Sequence, residues 1–297
     1  MSPRPKRAVS GWILLDKPLG MSSTQAVGRV RWLFAAEKAG HAGTLDPLAT
    51  GLLPIALGEA TKTVPLVQGG GKRYAFEAQW GTATSTDDAE GEIVATSDVR
   101  PGEAEVRAML GRFTGTILQR PPAFSAIKVD GERAYDLARK GEAVELAPRP
   151  VTIERLELIE HGSERSRFEM ACEKGTYVRA LARDLAEALG TRAHVTQLRR
   201  TAVAGFTEAD AVSLETLEAA TDRDALLRPP AVALRHLPEL RMSPDEAAIL
   251  RNGGAVLLRG AAAPVTLAAA WASLNGAAIA IGSVAAGHFR PSRVLRG

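Results

Sequence analysis

The sequence predicts an α+β protein with a small separate unit at its C-terminus, and three patterns carry that reading. Residues 74–80 alternate, with Tyr74, Phe76, Ala78 and Trp80 on one side and Glu77 and Gln79 on the other, the period of a two-sided strand. Residues 178–189 place Leu181, Leu185 and Leu189 at helical spacing ahead of a stop at Gly190. Strand and helix patterns are interspersed irregularly, without the repeating βα unit of a doubly wound sheet.

The elements follow in order. Residues 11–15 read as a buried strand, and a helix opened by Ser22 or Ser23 turns Ala26, Val27, Val30, Leu33 and Phe34 inward. A loop rich in glycine and proline spans 38–54 and gives way to the apolar run 52–57. After the strand at 74–80, residues 151–160 and 167–172 form a strand pair around His161-Gly162-Ser163, and the helix 178–189 comes next. Pro229-Pro230 and Leu237-Pro238 punctuate the approach to the last unit, which sets the domains at 1–237 and 238–297. That unit starts a helix with the capping box Ser243-Pro244-Asp245-Glu246, stops it at Gly253 and continues in three short apolar runs. So small a core is marginal alone and is expected to pack on the main domain.

Composition narrows the function classes. A chain of 297 residues, 45% apolar, has no run near the ~20 apolar residues that span a bilayer. Its start is a basic arm (Arg4, Lys6, Arg7) without the apolar stretch of a secretion signal, so no membrane role and a cytoplasmic location are expected. Cys172 is the single cysteine, which rules out an internal disulfide, and it falls in an alternating strand as a buried thiol. The five histidines (41, 161, 194, 236 and 288) lack metal-ligand spacing, so no metal and no cofactor are expected. Net charge is only +3 with a pI near 9.2, yet the cations cluster. Lys128, Arg133, Arg139 and Lys140 form one group, Arg192, His194, Arg199 and Arg200 a second, and Arg290, Arg293 and Arg296 a third. Phosphates are the expected partners.

The loop at 38–54 is the candidate for chemistry. Asp46 sits there in a rigid turn, with Gly40, Gly43, Gly51, Pro47 and Pro54 fixing the backbone and Leu52 to Leu57 anchoring the far side. Asp-Pro alone is ordinarily a turn starter. The longer string Gly40-His41-Ala42-Gly43-Thr44-Leu45-Asp46-Pro47, with Gly58-Glu59-Ala60-Thr61-Lys62 beyond it, resembles the signature of the TruB family of RNA pseudouridine synthases. Further segments match in order: Leu15-Asp16-Lys17-Pro18-Leu19-Gly20-Met21-Ser22-Ser23, Lys72-Arg73-Tyr74, residues 81–91 with Asp87-Asp88, residues 119–128, residues 172–179, and Leu198-Arg199-Arg200-Thr201. The resemblance covers residues 11–207.

That resemblance implies a central mixed, largely antiparallel sheet flanked by helices, a small PUA-like β-rich C-terminal domain, and an RNA-clamping insertion at 119–145. It implies conversion of uridine to pseudouridine at position 55 in the T-loop of tRNA, after the base is flipped out of its stack. Asp46 is then the nucleophile or the stabiliser of oxocarbenium character at C1′, and attack at C1′ and a glycal route both stay open. Burial disfavours a lone carboxylate charge, so a cation is needed, and Arg179 matches the position that supplies it. Its place in the first turn of a helix opposes the helix dipole, which argues for a specific partner. Tyr74 matches the residue that stacks on the base and takes part in proton transfer, Tyr177 and Leu198 complete the pocket, and His41 supports the flipped loop. Lys62 and Lys128 are further substrate-binding candidates, with Lys128, Arg133, Arg139 and Lys140 contacting phosphates.

The partner implied is the T-stem-loop of tRNA, bound by a monomer that needs no protein partner. Two rivals are a guide-RNA-dependent synthase acting on ribosomal RNA and a non-catalytic RNA-binding or folding module. Asp46, Tyr74, Tyr177 and Arg179 standing together count against the inert module.

Overall fold

The computed structural model describes residues 5–125, 127–129, 132–133 and 146–296. Its first half runs β1 (Gly11–Lys17), α1 (Ser23–Leu33), β2 (Ala39–His41), β3 (Ala49–Leu57), α2 (Val64–Gly69), β4 (Lys72–Trp80), β5 (Thr82–Thr84), β6 (Ile93–Thr96), α3 (Glu103–Leu110) and β7 (Gly115–Gln119). Then come β8 (Lys128–Val129), β9 (Glu132–Arg133), β10 (Arg149–His161), β11 (Arg165–Cys172), α4 (Val178–Ala188), β12 (Ala193–Val203), β13 (Phe206–Thr207), β14 (Val212–Ser213) and α5 (Leu214–Ala219). The C-terminal unit holds β15 (Glu239–Arg241), α6 (Pro244–Arg251), β16 (Val256–Leu257), β17 (Leu267–Leu274), β18 (Ala277–Ala285) and β19 (His288–Val294).

Ten strands form one sheet in the order β14-β1-β3-β12-β4-β11-β10-β7, with β2 added on β3 and β13 on β12. Only β1–β14 and β3–β12 are parallel, so the sheet is mixed and largely antiparallel. The apolar side of β4 behaves as its alternation requires: Tyr74, Phe76, Ala78 and Trp80 are buried, with α4 packed on the strand. Phe76 stacks on Phe168 at 5.1 Å and Trp80 meets the same ring edge-on at 6.4 Å, contacts worth about 0.5–1.5 kcal/mol each beyond area burial. The opposite side is less open than alternation suggests. Glu77 is buried there because Arg165, Arg167 and Thr196 from the neighbouring strands close over it.

Helix α1 starts at a full capping box, Ser22 accepting from the Gln25 amide while the Gln25 side chain accepts from Ser22 N–H. Ser243 and Glu246 do the same for α6, and Gly253 follows that helix at φ +81°. The three apolar runs after α6 become β17, β18 and β19 of a five-stranded sheet ordered β15-β17-β18-β19-β16. This unit packs on the main body through Trp271 and Ile281 against Leu66, Leu234 and Leu237. Lys62 and Glu59 complete the seam, Lys62 Nζ donating to the Val294 carbonyl at 2.7 Å and Glu59 accepting from the Arg296 amide at 2.7 Å.

Of the insertion at 119–145, the described parts are its root and the short β8–β9 pair. Of the cation group expected to contact phosphates there, Arg139, Lys140 and the side chains of Lys128 and Arg133 lie outside the described residues.

Candidate active site

Four elements converge on Asp46. It sits in the turn between β2 and β3, β3 lies beside β12, β12 lies beside β4, and α4 starts next to them. The turn is held from three directions. Ser23 Oγ donates to the Leu45 carbonyl at 2.8 Å and accepts from the Leu45 amide at 2.7 Å. Lys17 Nζ donates to Pro18 O at 2.8 Å, Met21 O at 2.6 Å and, less closely, Pro47 O at 3.4 Å. Arg200 donates to the carbonyls of Leu52, Gly43 and Thr44 from below. Asp46 is thereby left half-buried on a backbone with little freedom.

Arg179 faces it. The arginine is 4% exposed, and its Nε lies 3.0 Å from Asp46 Oδ2 and 3.5 Å from Asp88 Oδ2. Its two terminal nitrogens donate to the Thr86 and Phe124 carbonyls at 2.7 and 2.9 Å. A guanidinium anchored on so many sides cannot swing, which compensates for its unfavourable seat in the first turn of α4. Asp88 is held too, accepting from Thr86 Oγ1 and from the Glu90 amide. One helical turn on, Arg183 donates to Asp87 at 2.8 Å and to the Arg120 carbonyl at 2.7 Å. Asp87 takes a left-handed conformation, φ +60°, which splays the two neighbouring carboxylates toward the two arginines. Burial pushes the Asp87 and Glu90 carboxyls up, for Asp87 against the pull of Arg183 and Arg179.

Tyr74 lies on the buried side of β4, directly across from Arg200 on β12. Burial pushes its hydroxyl up, while the Arg200 guanidinium acts in the opposite direction. Leu198, also buried, pairs with Phe76 on one side and with Ala49 on the other. Tyr177 is the N-cap of α4, its amide donating to Gln119 Oε1 at 2.8 Å and its carbonyl accepting from Gln119 Nε2 at 3.1 Å. Arg149 stands 5.4 Å over its ring. His41 is half-buried on β2, opposite Ile55.

The structure therefore gathers Asp46, Tyr74, Arg179 and Leu198 around one sheet end. Lys62 is elsewhere engaged, its ammonium held between Glu59 and the Val294 carbonyl at the seam with the C-terminal unit. The cation cluster at 192–200 is not an open basic patch. Successive side chains of β12 point to opposite sides, so Arg200 turns into the core while Arg199 turns outward onto Asp16 and Glu208, and His194 is buried against Thr82. Sequence reasoning passed over Lys17, Asp88, Gln119 and Arg183 as site residues. The Asp87-Asp88 pair was visible in the matched segment, but nothing local says which acid meets which arginine. Among the described residues, no group of three or more His, Cys, Asp or Glu side chains is arranged to hold a metal ion.

The model of the TruB family pseudouridylate synthase N-terminal domain matches residues 31–178, and that of the tRNA pseudouridylate synthase B C-terminal domain matches residues 179–236. Over 316 residues the chain is 51% identical to tRNA pseudouridine synthase B of Mesorhizobium japonicum, covering 98% of this chain and 97% of that protein. The protein of the same name from Chelativorans sp. is 54% identical over 301 residues, covering 97% and 96%. A chain in the solved H/ACA RNP bound to a substrate RNA containing 2'-deoxyuridine matches with a TM-score of 0.75 at 23% identity, covering 97% of this chain and 85% of that one, a likeness of fold. A chain of a Cbf5-Nop10-Gar1 complex matches with a TM-score of 0.72 at 26% identity, covering 96% and 84%.

Proposed function

The chain belongs to the TruB family of pseudouridylate synthases, and we infer from that premise and from the site that it isomerises uridine to pseudouridine at position 55 in the T-loop of tRNA. The reaction breaks the N1–C1′ bond, joins C5 to C1′ and moves the C5 proton away, with no change in composition or oxidation state. The observation that carries the reading is the buried Arg179 guanidinium held 3.0 Å from Asp46. Arg179 engages Oδ2, and Oδ1 is the oxygen that meets the sugar carbon, either as a nucleophile or as the charge that stabilises its cationic character. Tyr74 stacks on the flipped base, Tyr177 and Leu198 wall the pocket and exclude water, and His41 supports the opened loop.

The enzyme acts as a monomer in the cytoplasm without a guide RNA or protein subunit. Support comes from full-length relatives at about half identity that carry the tRNA synthase name, whereas the chains from H/ACA assemblies stand at 23–26% identity. A transcript of the bare T-stem-loop with tritium at uridine C5 tests this. Release of one tritium per RNA, mapped to position 55, is expected. No release without an added guide supports the guide-dependent rival, and tight binding without release supports the inert module.

A further inference from the structure

We propose that Arg200 is a positioning residue for this isomerisation, a buried guanidinium that locks the loop carrying Asp46 to the hydroxyl of Tyr74. The proposal rests on the function inferred above. Arg200 is 0% exposed, and its Nε donates to Leu52 O at 2.8 Å, Nη2 to Gly43 O at 3.0 Å and Nη1, at a longer 3.4 Å, to Thr44 O. Those carbonyls stand on both sides of Asp46 in the chain. On the neighbouring strand, Tyr74 is its direct cross-strand partner, so the two side chains leave the sheet on the same side.

A role in stability alone accounts poorly for this residue. Among the described residues Arg200 forms no ion pair with a carboxylate, and its charge is felt by two other buried cations, Lys17 and Lys72. A buried cation without an anion is unfavourable, and an apolar side chain of similar volume ordinarily fills such a place at least as well. Here the loop is shaped to admit the guanidinium. A Cβ on Gly43, which is at positive φ, would come 3.3 Å from Arg200 Nη1. The charge also has a use at Tyr74. Burial pushes the tyrosine hydroxyl up, and the positive charge of Arg200 across the strand pair pulls it back. One guanidinium thus grips the loop of Asp46 and stands across the strand pair from Tyr74, and negative charge on the phenol during proton transfer is better tolerated than burial alone allows.

Single-turnover pseudouridine formation at saturating T-stem-loop tests this in four proteins: the parent, Arg200→Lys, Tyr74→Phe and the double variant. Arg200→Lys is expected to be about 100-fold slower than the parent, as for a modest misplacement of reacting groups, with RNA affinity kept within about 3-fold. Its rate should also rise with pH at a more alkaline position than the parent's. In the Tyr74→Phe background the same change should cost far less and leave the pH profile where it was, because the hydroxyl it serves is gone. An Arg200→Lys loss of equal size in both backgrounds, with an unmoved pH profile, would overturn the proposal and leave Arg200 a brace of the fold. Full activity of Arg200→Lys would overturn it as well. An inactive parent would instead count against the function itself. Should Arg200→Lys fail to fold, the parent labelled at its arginine and tyrosine side chains decides by NMR: an Overhauser contact between the Arg200 guanidinium and the Tyr74 ring is expected, and its absence rejects the lock.

Discussion

The two sheets of this molecule bury very different side chains. The core of the C-terminal five-stranded sheet and its helix is apolar, with Met242, Ala247, Leu250, Val256, Ala270, Ala272, Ile279, Ala280, Val284 and Phe289 buried together and Ser273 the one buried polar residue of that unit among those described. The ten-stranded sheet and its connections bury Lys17, Lys72, Glu77, Asp88, Arg179 and Arg200. Apolar burial contributes roughly 25 cal/mol per Å², whereas each buried ion requires a compensating partner before it contributes anything. Four of those six, Lys17, Asp88, Arg179 and Arg200, touch the Asp46 loop or its arginine.

If that contrast is functional, disturbing each sheet should separate chemistry from stability. The largest effect belongs to Asp46→Asn, which keeps the shape and removes the charge. Product formation should fall by at least ~10³-fold while RNA affinity stays within a few-fold. Survival of one hundredth of the parent rate in a single-turnover assay would break the link between buried charge and chemistry. Asp88→Asn comes next, since it removes one of the two carboxylates on Arg179. About a 100-fold slower step is expected, together with a lower melting temperature, because a buried guanidinium is left less well paired. Thermal melts beside the rate measurement check both halves.

A smaller effect, with a useful sign, comes from Lys17. Burial brings its ammonium down to about 8. As pH rises through that value the group loses one of the N–H donors that grip Pro18, Met21 and Pro47, so activity should decline. Stability should move the other way. In the unfolded chain a lysine keeps its proton to about 10.4, so between the two values the unfolded state binds more protons and this group's contribution to stability rises with pH. Rate and melting curves for the parent and Lys17→Met from pH 7 to 10 would show it, the variant being slower at pH 7 but lacking both trends. A joint fall of rate and stability through pH 8 would exclude Lys17 as the cause. The smallest catalytic effect is expected in the other sheet. Phe289→Ala should destabilise by about 3–5 kcal/mol yet leave the single-turnover rate at saturating RNA within about 2-fold, as calorimetry and the same assay would report.

Much of the site was legible in the sequence because it lies in runs of neighbours. The turn around Asp46 is written in its glycines and prolines, and Ser22 with Gln25, or Ser243 with Glu246, announce their helices locally. Arg179 was found through its match in the segment 172–179, with its odd seat at a helix start as a second clue. The pairing of Asp88 with Arg179, of Arg183 with Asp87, and of Gln119 with the Tyr177 backbone was not legible, since each joins residues far apart in the chain. Lys62 followed a motif closely enough to look like part of the substrate site, and only the docking of the C-terminal unit gave its ammonium to Val294. Arg199 and Arg200 looked alike as neighbours in a cationic cluster.

The sequence by itself determined the α+β class, the order of its main elements, the rigid turn that presents Asp46 and the family to which the chain belongs, because periodicity, capping and turn chemistry act over a few residues. Beyond the pair of Asp46 and Arg179, only the tertiary structure decided which charge meets which. Strand register places Arg200 across from Tyr74 and turns Arg199 to the opposite side, and a slip of one residue would exchange them. A buried charge takes its meaning from the partners that register supplies, and those partners come from parts of the chain that folding alone brings together.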